Sequence, residues 1–135
     1  MNIVNQVDMK ELFASVRTIA VVGLSDDPLR PSNGVSAYLQ RAGYRIIPVN
    51  PSVPEILGET CYATLRDIPE KVDVVDVFRK SEAVGPIAED AIAIGAKYLW
   101  LQEGVINPAA AEKAVQAGLR VVMDKCMLKE HRAIS

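Results

Sequence analysis

The stretch Thr18-Ile-Ala-Val-Val-Gly23-Leu-Ser25-Asp-Asp-Pro-Leu-Arg30-Pro-Ser32-Asn-Gly34 decides how the chain reads. Its opening apolar run lacks polar alternation, as a strand buried on both faces should. A glycine turn and a polar loop follow, and then a helix. In α/β proteins a phosphate sits at such a junction, because helix N-terminal N–H groups and the helix dipole attract negative charge. The G-x-G-x-x-G fingerprint is absent, since the glycine after Gly23 is Gly34. Arg30 adds a fixed cation suited to phosphate oxygens. These features predict a nucleotide-type ligand other than NAD. Asp26 and Asp27 add negative charge beside the loop; they fit the reading only if they face solvent or cap the helix.

Composition sets the outer bounds. At 135 residues, half of them apolar, the chain is long enough for one domain with a sizeable core. A net charge of −2 supplies no global field for nucleic acid or an anionic membrane. No signal peptide or membrane span is legible, because Lys10, Glu11 and Arg17 interrupt the approach to the short apolar run at Ile19. Cys61 and Cys126 lack metal-ligand spacing and His131 is the only histidine, so no metal site and a reducing cytoplasm are expected.

Outward from the first stretch, the chain alternates in type. Asp8 with Glu11 opens a helix whose apolar face is Leu12, Phe13 and Val16. Thr18–Val22, Tyr44–Val49, Val72–Phe78, Tyr98–Leu101 and Leu119–Met123 read as strands. One helical face carries Val35, Tyr38, Leu39 and Ala42 and is closed by Gly43; another carries Ile87, Ala88, Ala91 and Ile94 and is closed by Gly95. The latter is expected to begin at Pro86 after a turn. Asn107, Pro108 and Gly118 bracket a third helix. Asn50–Ile68 is irregular, with one short edge strand expected around Thr60–Ala63. The expected fold is a Rossmann-like, doubly wound, mainly parallel sheet of five to six strands, with helices on both faces and the Thr18 strand central.

In such sheets ligands bind beyond the carboxyl ends of the strands, at the switch point. Here the N-terminal ends carry ordinary stops and charges: Gly43, Lys71, Gly95-Ala-Lys97 and Gly118. The C-terminal ends carry Gly23-Leu-Ser25, Pro48-Val-Asn50-Pro51, Phe78-Arg79-Lys80, Gln102-Glu103-Gly104 and Asp124-Lys125-Cys126. Loops need polar residues in any fold, yet five strands delivering them to one rim predict a ligand there. NAD sites usually place Asp or Glu after the second strand to accept from a ribose hydroxyl; this chain has Asn50. Pro48 and Pro51 would hold Val49 and Asn50 extended, which suits either a stiff loop or backbone contact with an adenosine.

Taken in order, these segments resemble the stand-alone CoA-binding protein family, itself similar to the CoA-binding domain of succinyl-CoA synthetase α subunits and ADP-forming acyl-CoA synthetases. The matching pieces include Ala20-Val-Val-Gly23-Leu-Ser25, Arg30-Pro-Ser32, Gly43-Tyr-Arg-Ile-Ile-Pro-Val-Asn-Pro51, Val72-Asp-Val-Val-Asp-Val-Phe-Arg79, Trp100-Leu-Gln-Glu-Gly104 and Val121-Val-Met-Asp-Lys-Cys126. The resemblance implies CoA or acyl-CoA as cofactor. It implies that Gly23, Ser25, Arg30 and Ser32 hold its phosphates and that Val49, Asn50 and Pro51 lie along the adenosine. Phe78 and Arg79 would flank the cofactor, and Gln102, Glu103 and Gly104 would line the path to the pantetheine arm.

No catalytic constellation accompanies this rim. There is no G-x-S-x-G or Walker loop, His131 lies outside any nucleophile context, and Glu103 is a lone carboxylate. A CoA binder without chemistry of its own is the favoured reading. The alternatives are a ligase or transferase subunit whose catalytic chain is separate, and an NAD-type redox sensor. A protein partner or self-association is compatible with each. Cys126 admits two readings: a small buried apolar residue, or a thiol that Lys125 keeps reactive toward the thiol end of CoA. Trp100, Tyr38 and Tyr44 are expected in packing, and Lys125, Lys129 and Arg132 as a small basic tail or a solvated end.

Overall fold

A computed structural model describes residues 3–135. Five parallel strands form its sheet: β1 (Thr18–Val22), β2 (Arg45–Val49), β5 (Val74–Val77), β6 (Tyr98–Leu101) and β7 (Arg120–Met123), in the order β2-β1-β5-β6-β7. This is a Rossmann-like, doubly wound arrangement, with β1 interior and β5 at the middle. Pro48 is accommodated because β2 lies at the sheet's edge, where a missing ladder donor is tolerated.

Helices cover both faces. Leu12 and Phe13 of α1 (Met9–Ser15), Val35 and Leu39 of α2 (Pro31–Arg41) and Met127 of α5 (Met127–Ile134) pack with Ile19, Val21, Ile46, Val74 and Trp100. On the opposite face, Val84, Ala88 and Ala91 of α3 (Val84–Ala93) and Ala110, Ala111 and Ala114 of α4 (Pro108–Gln116) pack with Ala20, Val22, Val75, Val77 and Leu99. The small alanines let α3 and α4 lie close to each other and α4 close to β7. The connection after β1 thus runs on one face and those after β5 and β6 on the other, which puts the switch point between β1 and β5.

Local chemistry accounts for most boundaries. Asp8 accepts from the N–H groups of Lys10 and Glu11, and Asn107 caps α4 by accepting from Ala110 N–H. The helix expected from Pro86 begins two residues earlier, at Val84, behind a 3₁₀ turn at Ser81–Ala83. Pro86 is harmless there, since its missing N–H falls among the first four, which lack intrahelical acceptors. The expected Thr60–Ala63 strand is replaced by a two-residue hairpin, β3 (Glu55–Ile56) with β4 (Glu59–Thr60), turned through Leu57 and Gly58, both at positive φ. Tyr62 then makes a single parallel bridge to Val49.

The C-terminal segment, expected as a basic tail or solvated end, is instead the helix α5 (Met127–Ile134). Its docking centres on His131, whose ring lies edge-on to Phe13, Tyr38 and Tyr44, with its Nδ1 2.7 Å from the Tyr38 hydroxyl. Tyr44 donates to the Phe13 carbonyl at 2.7 Å, so α1 and α5 are fastened to one aromatic cluster. Trp100 is fully buried, and its indole N–H donates to the Lys125 carbonyl at 2.8 Å.

Candidate functional site

Gly23 ends β1 at φ +84, which L side chains rarely adopt. The chain has a second reason for glycine here: a Cβ would stand 2.6 Å from the Phe78 carbonyl oxygen and 2.8 Å from Arg79 Cδ. The exits of β1 and β5 therefore touch at the switch point. The loop beyond Gly23 is ordered by its own polar groups. Ser25 N–H donates to Ser32 Oγ at 3.0 Å, Asn33 Nδ2 donates to the Ser25 carbonyl at 2.9 Å, and Asp27 N–H donates to Ser25 Oγ at 3.0 Å. Asp27 makes a local turn by accepting from Leu29 N–H, and Asp26 is exposed, so neither caps α2. Arg30 occupies the N-cap position without a side-chain capping bond, and Gly34 lies inside the helix.

Asn50 is a latch for the same loop. Its Nδ2 donates to the Leu24 carbonyl at 3.0 Å and its Oδ1 accepts from Ser52 N–H at 2.8 Å. Its N–H is taken by the Tyr62 carbonyl, and the Val49 carbonyl by Gly23 N–H. The Val49 side chain is buried in the core and Pro51 is exposed.

A cleft of about 340 Å³ opens beside this junction. Pro31 and Val35 of α2, Phe78 and Arg79 after β5, Gln102, Glu103 and Val105 after β6, and Cys126 before α5 line it. It thus joins five of the sequence-selected residues, Phe78, Arg79, Gln102, Glu103 and Cys126, with Gly23 directly behind Arg79. Ser25, Arg30, Ser32, Val49, Asn50, Pro51, Gly104 and Lys125 lie outside that lining. Pro31, Val35 and Val105 were not among the expected site residues; Val35 reads from sequence as part of a helix's apolar face.

Charge is arranged unevenly around the cleft. Glu103 is engaged by Lys129 at 3.0 Å, which holds the Lys129 ammonium above the usual lysine range. Arg30 and Arg79 are exposed, and among the described residues neither has an anionic partner. The loop after β6 is fixed from both sides: Gly104 N–H donates to Asp124 Oδ1 at 2.7 Å, and Ile106 N–H to Ser81 Oγ at 2.9 Å. Cys126 is half-buried and free, as is Cys61, whose thiol burial pushes up.

Beneath the cleft lies a residue that the sequence reading passed over. Asp76, on the middle strand, is fully buried on the side of Val21 and Trp100, its register partners. Its Oδ1 accepts from Gln102 Nε2 at 2.7 Å, while its Oδ2 has no partner among the described residues. Burial pushes its carboxyl up to about 7, offset in part by the Gln102 bond. The signal was present: one Asp in the apolar run Val74-Val-Asp-Val77.

A second cleft, of about 420 Å³, runs between the N-terminal turns of α3 and α4, lined by residues including Pro86, Asn107 and Ala110. It is larger but lies away from the switch point, and no selected residue reaches it. Among the described residues no cluster of His, Cys, Asp or Glu is placed to hold a metal ion, and no helix is long and apolar enough to cross a membrane.

Fold and site together define a Rossmann-like α/β module with a ligand-sized cleft at its switch point and a glycine-led loop in place of the dinucleotide fingerprint. The chain belongs to the CoA binding domain family, whose model matches residues 17–132. It is 40% identical over 127 residues to the uncharacterized protein YneT of Bacillus subtilis, covering 94% of each. A hypothetical protein from Pyrococcus horikoshii superposes with a TM-score of 0.91 at 42% identity, over 93% of this chain and 89% of that one. ADP-forming acetate–CoA ligase I of Archaeoglobus fulgidus is 26% identical over 88% of this chain, which spans only 19% of that enzyme.

Proposed function

We propose that this chain binds CoA or an acyl-CoA at the carboxyl rim of its sheet, as one domain over residues 1–135, and carries out no chemistry of its own. The observation that carries the reading is the cleft at the switch point, with Arg79, which lacks an anionic partner among the described residues, at its wall and the close Gly23–Phe78 contact behind it. Arg79 and Arg30 would take the phosphates, being fixed cations with free forked donors. The self-bonded loop from Ser25 to Ser32 would then present its shape without having to be ordered by the ligand, which lowers the entropic cost of binding. The arm would run along Phe78, Gln102 and Glu103 toward Cys126.

The non-catalytic part rests on the makeup of the lining. Glu103 is the lining's one carboxylate and is paired with Lys129, while His131, on α5, lies outside the lining against Tyr38. A second reading has one specific observation behind it: similarity to a segment of a much longer acetate–CoA ligase. On that reading the chain presents CoA to a separate catalytic partner.

Calorimetric titration of the reduced protein with CoA, with NAD as control, tests the proposal. Saturable binding of CoA alone supports it. Binding of NAD alone overturns it, and acyl transfer appearing only with a co-purifying chain favours the second reading.

A further inference from the structure

We infer that Asp76 is a positioning residue of the cleft: it holds the Gln102 carboxamide so that its carbonyl oxygen faces the ligand as a hydrogen-bond acceptor. Asp76 Oδ1 grips Gln102 Nε2 at 2.7 Å from below the cleft floor. Gln102 itself lines the cleft, although it is only 3% exposed. With the nitrogen drawn inward by one of its two N–H groups, Oε1 is turned the other way, and among the described residues no group donates to it. A carboxamide free to rotate would offer donor and acceptor alike. One pinned through one of its two N–H groups to a buried acceptor has its carbonyl oxygen fixed in place as an acceptor.

A purely structural role explains this pair poorly. Asp76 stands in the middle strand between Val21 and Trp100, where an apolar side chain of similar size would pack without desolvating a carboxyl. The pair is also incomplete, since Asp76 Oδ2 is buried without a partner among the described residues. Replacing both members of a buried polar pair by apolar groups is often neutral or stabilising, so stability alone does not call for it. A fixed acceptor in a cleft suits a ligand that brings an N–H group. If the cleft holds the arm of CoA, as proposed above and on which this inference rests, that group is an amide N–H of the arm.

The test compares CoA with 3′-phosphoadenosine 5′-diphosphate, which carries the nucleotide without the arm. Asp76→Val and Gln102→Leu should each weaken CoA binding about tenfold, equivalent to roughly 1.4 kcal/mol, and leave affinity for the nucleotide unchanged. The double variant should be no weaker than Gln102→Leu alone, because both remove one acceptor. Asp76→Asn keeps an oxygen to accept from Gln102 Nε2, so it should retain CoA affinity within about threefold. The inference is overturned if folded Asp76→Val binds CoA like the wild type, if both ligands weaken together, or if the two losses add. Should Asp76→Val not fold, Asp76→Asn and Gln102→Leu decide: an unchanged Gln102→Leu, or an Asp76→Asn as weak as Gln102→Leu, overturns it. Wild type that binds the nucleotide but gains nothing from the arm refutes the inference and leaves a nucleotide site standing. Wild type that binds neither removes the CoA reading and the inference with it.

Discussion

Asp76→Asn should change how stability responds to pH, and the structure fixes both sign and size. The carboxyl rises from an ordinary 3.8 to about 7 in the folded chain, the cause being complete burial, with Gln102 opposing it. Between those values the unfolded chain has released the proton and the folded chain still holds it. Stability therefore falls as pH rises through this window, by about 1.4 kcal/mol per pH unit where the slope is full, and levels off above about 7. From pH 5 to pH 8 the loss amounts to roughly 2.5 kcal/mol. Asparagine does not titrate, so the variant lacks the slope. Glu70, Asp73 and Glu89, whose carboxyls are held below their usual values by Arg45, by the N–H groups of Arg17 and Thr18, and by Lys113 respectively, contribute stability that is lost at lower pH. They are common to both proteins and cancel in the difference. Urea denaturation at pH 5, 6, 7 and 8 gives the curve for each protein. The stability of Asp76→Asn relative to wild type should climb by roughly 2.5 kcal/mol from pH 5 to pH 8. A flat difference would show that the folded carboxyl is already ionised at pH 5 and that the buried-acid account of Asp76 is wrong.

Other outcomes follow from the same geometry. Gly23→Ala meets the Phe78 carbonyl and forces a left-handed conformation on alanine, so it should lose about 2–3 kcal/mol in denaturant melts; a loss below 0.5 kcal/mol would contradict the close approach. Arg79→Ala should weaken CoA about tenfold to a hundredfold while leaving the thermal midpoint within a few degrees, and that weakening should shrink at high salt. Treatment with oxidised CoA should add one CoA at Cys126, its thiolate displacing a CoA thiolate from the disulfide, as read by intact mass without reductant; adduct formation at Cys61 instead would place the arm elsewhere.

Much of the frame was legible because it follows from burial. Strands enclosed on both faces are apolar nearly throughout, so Thr18–Val22 and Tyr98–Leu101 stand out in the chain as they do in the sheet. Asn107 with Pro108 marks the start of α4 by local chemistry that needs no tertiary context. What escaped notice depends on distant partners. Met127–Ile134 is short and mixed in composition, and it is a helix because His131 finds Phe13, Tyr38 and Tyr44, residues about 90 or more positions away in the chain. The hairpin at Glu55–Thr60 depends on Leu57 at positive φ, which its residue type does not announce. At the site, sequence marks which residues lie at strand ends but not which are already engaged. Asn50 is spent on Leu24 and Ser52, whereas Arg79 has no anionic partner among the described residues. Asp76 was visible as one acid in an apolar strand, but its tie to Gln102 spans 26 positions and appears only in the fold.

The central claim, that CoA occupies the switch-point cleft, is tested most directly by following backbone amide shifts of the labelled protein during titration with CoA. Saturable shifts gathered on Gly23–Ser32, Phe78–Arg79, Gln102–Val105 and Cys126 are the predicted result. Shifts gathered on Gly85–Glu89 and Asn107–Lys113, around the cleft between α3 and α4, would contradict it.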